Sequence, residues 1–136
     1  MRMTHEADYA IRVVYCLALS GGKLSAKSIS EETGVTLRFA LKILRKLILA
    51  GLVQSYKGVS GGYALQKAPS DISLGEIIEY IDGPIAINHC LSNEFDCTRV
   101  QSKAGCGFRK VFVSVNQSLR QQLYDVKIDR FIDSTT

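Results

Sequence analysis

The sequence has 136 residues, of which 46% are hydrophobic and 22% charged, with a net charge of +4 and four cysteines. That balance predicts one soluble domain with an accessory element and excludes a disordered chain, except at its extreme C-terminus. No apolar run reaches bilayer length and Met1–Asp8 lacks a signal-peptide core, so the chain is expected in the cytoplasm, off the membrane and with reduced cysteines.

A first helix is predicted from about Thr4 to Ser20, with Tyr9, Val13, Val14 and Leu17 at helical spacing and Gly21-Gly22 as its stop. Ser25 is placed to cap a short second helix, with Ala26, Ile29 and Ser30 inward and Gly34 at its end. Thr36 caps a third helix that runs to about Ala50, with Gly51 just beyond. Leu37, Leu41, Leu44, Leu47 and Ile48 form its expected buried stripe, and Arg38, Lys42, Arg45 and Lys46 fall mostly opposite. Two helices joined by a tight, glycine-containing turn have the layout of a helix-turn-helix. Leu52–Tyr56 and Tyr63–Leu65 then read as the strands of a hairpin around the glycine-rich turn Lys57–Gly62. A basic, glycine-tipped hairpin directly behind a basic helix is the winged variant; an ordinary surface hairpin is the competing reading.

Residues 33–70 carry six Lys/Arg and no acid, whereas residues 71–136 carry seven bases against nine acids. A basic helix face is often simply solvated, but a long window without one carboxylate suits a surface that meets polyphosphate. Thr36, Arg38, Phe39 and Lys42 are the candidates for the major groove of double-stranded DNA. Arg45, Lys46 and Lys57 are candidates for phosphate contact, and Ser60 and Gly61 bring wing backbone close to it. Phe39 is read equally well as a core residue.

A fourth helix opens on a capping box, Ser73 with Glu76 three residues on, backed by Leu74, Ile77, Ile78 and Ile81 and ended by Gly83-Pro84. Residues 88–106 are polar and weakly periodic, a loop. From Phe108 the helical pattern returns, with Phe108, Val111, Phe112, Val115, Leu119, Leu123 and Val126 in one stripe that a second copy of the chain is suited to cover. The expected fold is mainly α with a small β-hairpin wing. Residues 1–84 form a winged helix-turn-helix, 85–107 a cysteine-bearing sensor loop and 108–132 a long dimerisation helix.

Cys16 lies in an apolar helix and reads as a small core residue. Cys90, Cys97 and Cys106 fall within 17 residues of polar loop and are candidates for metal ligands, redox-active thiols or inert side chains. The spacing C-x6-C-x8-C contains no C-x2-C knuckle, and adjacent His89 and Cys90 would not easily chelate one ion, so iron–sulfur fits better than zinc. Cys106, flanked by Gly105 and Gly107, precedes a helix N-terminus whose dipole favours a thiolate.

Several stretches together resemble the Rrf-type family of bacterial winged-helix regulators, which includes iron–sulfur cluster regulators and nitric-oxide-sensing repressors. They are Met1–Thr4 with Tyr9-Ala10, Ile29–Glu31, Leu41–Leu44 with Leu47, Ala50–Val53, Gly58–Tyr63, and Ser73–Ile78 leading to Ile81–Pro84, followed by the three-cysteine loop. The resemblance covers nearly the whole chain. It implies a homodimer joined through the C-terminal helices, with the third helix in the major groove and the wing in the minor groove. It also implies a 2Fe–2S or 4Fe–4S cluster on Cys90, Cys97 and Cys106. In some members a histidine shortly after the third cysteine completes the site; Phe108, Arg109 and Lys110 offer none. In nitric-oxide sensors an acid early in the first helix of the other subunit does so, and Asp8 stands at the matching position, with Glu6 and His5 nearby.

The resulting expectation is a dimeric, operator-binding transcription regulator that senses redox state, nitric oxide or iron–sulfur supply through that cluster. A cluster-free regulator using thiol oxidation or a small-molecule or protein effector is the first alternative. A protein-interaction module or small metalloenzyme is the second. The histidines His5 and His89 offer no Ser/His/Asp arrangement, which argues against an enzyme.

Overall fold

The computed structural model describes residues 2–88, 91 and 106–133. Helix α1 (His5–Ser20) begins where the extended Thr4 accepts the Ala7 N–H on its hydroxyl, and ends where left-handed Gly21 returns its N–H to the Leu17 carbonyl. The same logic sets α2 (Ala26–Thr33) and α3 (Leu37–Leu49): Ser25 and Thr36 accept the N–H groups of Ser28 and Phe39. Gly34, at φ +75°, makes the turn between the two helices. Val13, Val14 and Leu17 of α1 pack with Ile29 of α2 and with Ile43, Leu44 and Leu47 of α3 in one core.

The buried stripe of α3 is rotated from the one its sequence suggests. Ala40, Ile43, Leu44 and Leu47 are buried, Leu41 and Ile48 are half-buried, and Leu37 is 46% exposed. Apolar residues fill nearly every position of α3 that is not basic, so periodicity alone cannot choose a face. The face diametrically opposite Arg38, Lys42 and Arg45 is the one that packs.

Strands β1 (Val53–Tyr56) and β2 (Gly62–Leu65) pair antiparallel, with Val53 opposite Leu65 and Tyr56 opposite Gly62. Leu24, between α1 and α2, adds a third short piece. Its N–H donates to the Tyr63 carbonyl at 2.9 Å, and the Tyr63 N–H donates back at 2.8 Å. Gly62 permits this approach: its φ is +151°, and a Cβ there would stand 2.7 Å from the Leu24 carbonyl oxygen.

Helix α4 (Leu74–Asp82) carries the full reciprocal capping box of Ser73 and Glu76 and packs on α1. Helix α5 (Gly107–Asp125) lies on α4, where the Tyr124 ring covers Gly75 so closely that a Cβ would meet it at 2.2 Å. The single helix expected over 108–132 is in fact two. The chain leaves helical geometry at Val126, whose carbonyl accepts the Leu74 N–H at 3.0 Å, and the Ile128 N–H donates to the Ile72 carbonyl at 2.9 Å. Ile128 is fully buried in the winged-helix core, and α6 (Asp129–Asp133) follows against α1. Burying Ile128 beside Ile72 requires the chain to turn back, which a continuous helix cannot do. Among the described residues, no helix is long and apolar enough to cross a membrane.

Candidate nucleic-acid interface and cysteine segment

Helix α3 and its N-cap present a groove of about 480 Å³ lined by Thr36, Arg38, Phe39, Lys42 and Arg45. All four residues expected to meet base edges are therefore neighbours, with Arg45 beside them. Phe39 takes both of the roles considered for it. It is half-buried, meets Tyr9 of α1 edge-on at 5.6 Å between ring centres, and turns its outer part to the groove beneath the Lys42 ammonium at 5.6 Å. Arg38 and Arg45 are exposed and form no ion pair among the described residues. Such unpaired guanidinium groups are free to meet bases or phosphates.

The basic window is acid-free in sequence but not in space. Glu6 of α1 reaches α3, where one carboxylate oxygen stands 2.5 Å from Lys46 Nζ and the other 3.9 Å from Lys42 Nζ. Lys67 likewise pairs with Glu76 at 3.4 Å. Lys46, expected to meet phosphate, has a protein carboxylate instead.

At the wing tip Lys57, Val59 and Ser60 are exposed. The Gly61 N–H donates to the Gly58 carbonyl at 3.0 Å, and a Cβ on Gly61 would fall 2.2 Å from the Tyr56 carbonyl oxygen. Gly61 is thus required by the turn itself, and its amide is not available to a phosphate. Lys23 adds a charge that the sequence reading missed, its Nζ 4.3 Å from the centre of the Tyr56 ring at the base of the wing. Only the pairing of neighbouring Leu24 with Tyr63 reveals it.

Cys90, Cys97 and His89 lie outside the described residues. Cys106 is buried at the N-cap of α5, where its side chain makes no capping bond. One turn later the Nε–H of Arg109 is buried with no acceptor among the described residues. A buried thiol at a helix N-terminus, with a buried guanidinium N–H lacking an acceptor among the described residues three positions on, suits a negatively charged sulfur-rich group. Asp8 is half-exposed on α1 and pairs with Arg12 at 3.0 Å. Cys16 is of another kind. Burial, and then the 3.2 Å hydrogen bond that its thiol donates to Glu32, push its pKa up to about 12. It stays a thiol at neutral pH and is not a reactive centre.

A polar clamp holds α5 and the start of the cysteine segment to α4. Glu79 accepts Arg120 Nε at 3.0 Å, the Tyr124 hydroxyl at 2.5 Å and the Ile85 N–H at 2.8 Å. Burial alone would raise the Glu79 pKa, but the hydrogen bonds from Arg120, Tyr124 and Ile85 outweigh it and hold the group below its usual range. The clamp's contribution to stability is therefore present above the ordinary carboxylate pKa and is lost as pH falls through the lowered one. Asn116 of α5 accepts the Ile87 N–H at 3.0 Å and donates to the Ile85 carbonyl at 2.8 Å. On the other side of α4, Asp82 accepts both the N–H and the hydroxyl of Thr4. The residues leading into the cysteine segment are thereby tied to α5 and to the first turn of α1.

Residues 3–134 match the family model described as Rrf2, iron-dependent transcriptional regulator. An rrf2-like HTH-type transcriptional regulator of Rhodobacter capsulatus is 38% identical over 120 residues, covering 83% of this chain and 80% of that one. The solved structure of CymR, titled the global cysteine regulator of B. subtilis, shares the fold at a TM-score of 0.80 and 22% identity, covering 100% of this chain and 99% of that one. That of T. potens IscR superposes with a TM-score of 0.75 at 25% identity, covering 100% and 89%. The chain belongs to the Rrf2 family, whose members are transcription regulators rather than enzymes, and it carries that family's winged-helix DNA-binding fold.

Proposed function

We propose that the regulator binds a double-stranded operator as a homodimer and that its affinity responds to an iron–sulfur cluster held by Cys90, Cys97 and Cys106. The groove on α3 carries the DNA-contact assignment: Thr36, Arg38, Phe39 and Lys42 meet base edges, and Arg45 flanks them toward phosphate. Lys57 and Ser60 at the wing tip, with Lys23 at its base, meet the backbone on the neighbouring groove. Replacing Arg45 or Lys57 by alanine is expected to weaken binding alike on all sequences and to reduce the log–log salt slope by about 0.9 per subunit, about 1.8 for the dimer. Slopes equal to wild type would remove both residues from the phosphate set.

The buried Cys106 thiol, and the Arg109 N–H that has no acceptor among the described residues, support the cluster assignment, as does the iron dependence in the family's description. A cluster bound there supplies a centre that oxidants and nitric oxide attack. Cys106 holds one corner at the start of α5, and Asp8 of the partner subunit completes the ligand set in place of its pairing with Arg12. Protein purified anaerobically is expected to carry iron and sulfide with visible charge-transfer absorbance. Cys97→Ala should lose both, whereas Asp8→Ala should keep most of the iron through three thiolates yet change how DNA affinity follows cluster loss. Iron-free, colourless wild-type protein that still binds its operator would overturn the cluster and leave direct thiol chemistry as the signal.

A further inference from the structure

We infer that Glu6 is an internal stand-in for a DNA phosphate, which withholds Lys46 from DNA and so sets how many backbone contacts α3 makes. This rests on the reading of α3 as the DNA-facing helix. Lys42 and Lys46 are one turn apart on α3, and a single carboxylate from α1 approaches both, at 3.9 Å and 2.5 Å. The Glu6 side chain is only 21% exposed and that of Lys46 38%, so this pair is held by packing rather than strung across solvent. Lys46 shares with Phe39 the flank of α3 that faces α1, where Tyr9 meets Phe39, one turn along α1 from Glu6. A lysine neutralised in the free protein releases no counterion when DNA arrives, and its carboxylate partner repels any phosphate that comes near.

The position of Glu6 gives this pair a second property. Asp82, beside the start of the cysteine segment, holds the N–H and hydroxyl of Thr4, and Glu6 follows within the same turn of α1. Any displacement of that turn changes the charge that α3 offers to DNA without moving α3. The first turn of α1 thus meters the DNA affinity of the helix behind it.

The test uses full-length protein and a mixed-sequence DNA duplex, with affinity measured by fluorescence anisotropy across a salt series. Glu6→Gln keeps the shape and removes the charge. It is expected to bind more tightly than wild type and to steepen the salt slope by about 1.8, the value for one additional phosphate on each subunit of the dimer. The slope does not depend on the fraction of active protein, so partial unfolding does not imitate this result. The double exchange Glu6→Lys with Lys46→Glu keeps a neutral pair and is expected to leave the wild-type slope unchanged. A Glu6→Gln slope equal to wild type, or a double exchange that loses about 1.8, overturns the proposal, because Lys46 of each subunit then already contacts phosphate. Wild-type protein with no salt-dependent affinity for the duplex would instead remove the DNA-facing reading of α3, and this proposal with it.

Discussion

Ile128→Ala is expected to cost the winged-helix domain about 2–5 kcal/mol, although the residue lies beyond the long C-terminal helix. Ile128 is fully buried, its N–H is bonded to the carbonyl of equally buried Ile72, and its side chain belongs to the same core as α1 and α3. Truncation removes the transfer energy of the lost methylenes and leaves a cavity that Ile72 and its neighbours, fixed by backbone pairing, cannot collapse to fill. The measurement is urea unfolding at one fixed protein concentration, since dissociation of a dimer would add to the apparent stability. Leu49→Ala, at a side chain 77% exposed on α3, is the control and should change stability by no more than about 0.5 kcal/mol. Equal midpoints for the two variants would show that the segment after α5 is not part of the core.

Val115→Glu is expected to convert the proposed dimer to monomer and to lower operator affinity by roughly 10²–10⁴-fold, the gain that linking two half-site binders confers. Phe108, Val111 and Val115 are 61%, 59% and 52% exposed and recur at steps of three and four along α5. Asn116, Arg120 and Tyr124 face α4 and the residues before the cysteines, so the exposed stripe belongs to another side of the helix. A glutamate at Val115 places a charge in the middle of a surface that needs an apolar cover, and an unpaired charge there opposes association. Since the change leaves α3 and the wing untouched, a loss of DNA affinity with monomerisation would trace to the missing second half-site. A variant that still sediments as a dimer would move the interface elsewhere.

The elements were legible in the sequence wherever a local rule decides them. Ser25, Thr36 and the Ser73–Glu76 box each satisfy helix N–H groups within three residues, and Gly21 and Gly34 stop their helices, so composition and spacing suffice. What sequence could not give depends on distant partners. The turn at Val126 is set by hydrogen bonds to Ile72 and Leu74, and the three residues between α5 and α6 are too few to leave a periodicity. The short piece at Leu24 pairs with the hairpin through a single bridge to Tyr63. The groove residues Thr36, Arg38, Phe39, Lys42 and Arg45 were readable because they belong to one helix and its N-cap. The fate of Lys46 was not, since its partner lies 40 residues earlier.

The anchorage of Asn116 also bears on how freely this family can vary its sensor in length. Ile87 is pinned to Asn116, and Cys106 caps the start of the same helix ten residues earlier, roughly 15 Å away along its axis. The span to be bridged is thus dictated by α5 and not by the residues that bridge it. For a flexible segment between two fixed points, the closure cost grows only as about (3/2)RT ln n, some 0.6 kcal/mol for each doubling of length. Insertions between the cysteines therefore leave the scaffold nearly untouched, and evolution can retune the spacing of the thiols while the helices that read DNA stay where they are.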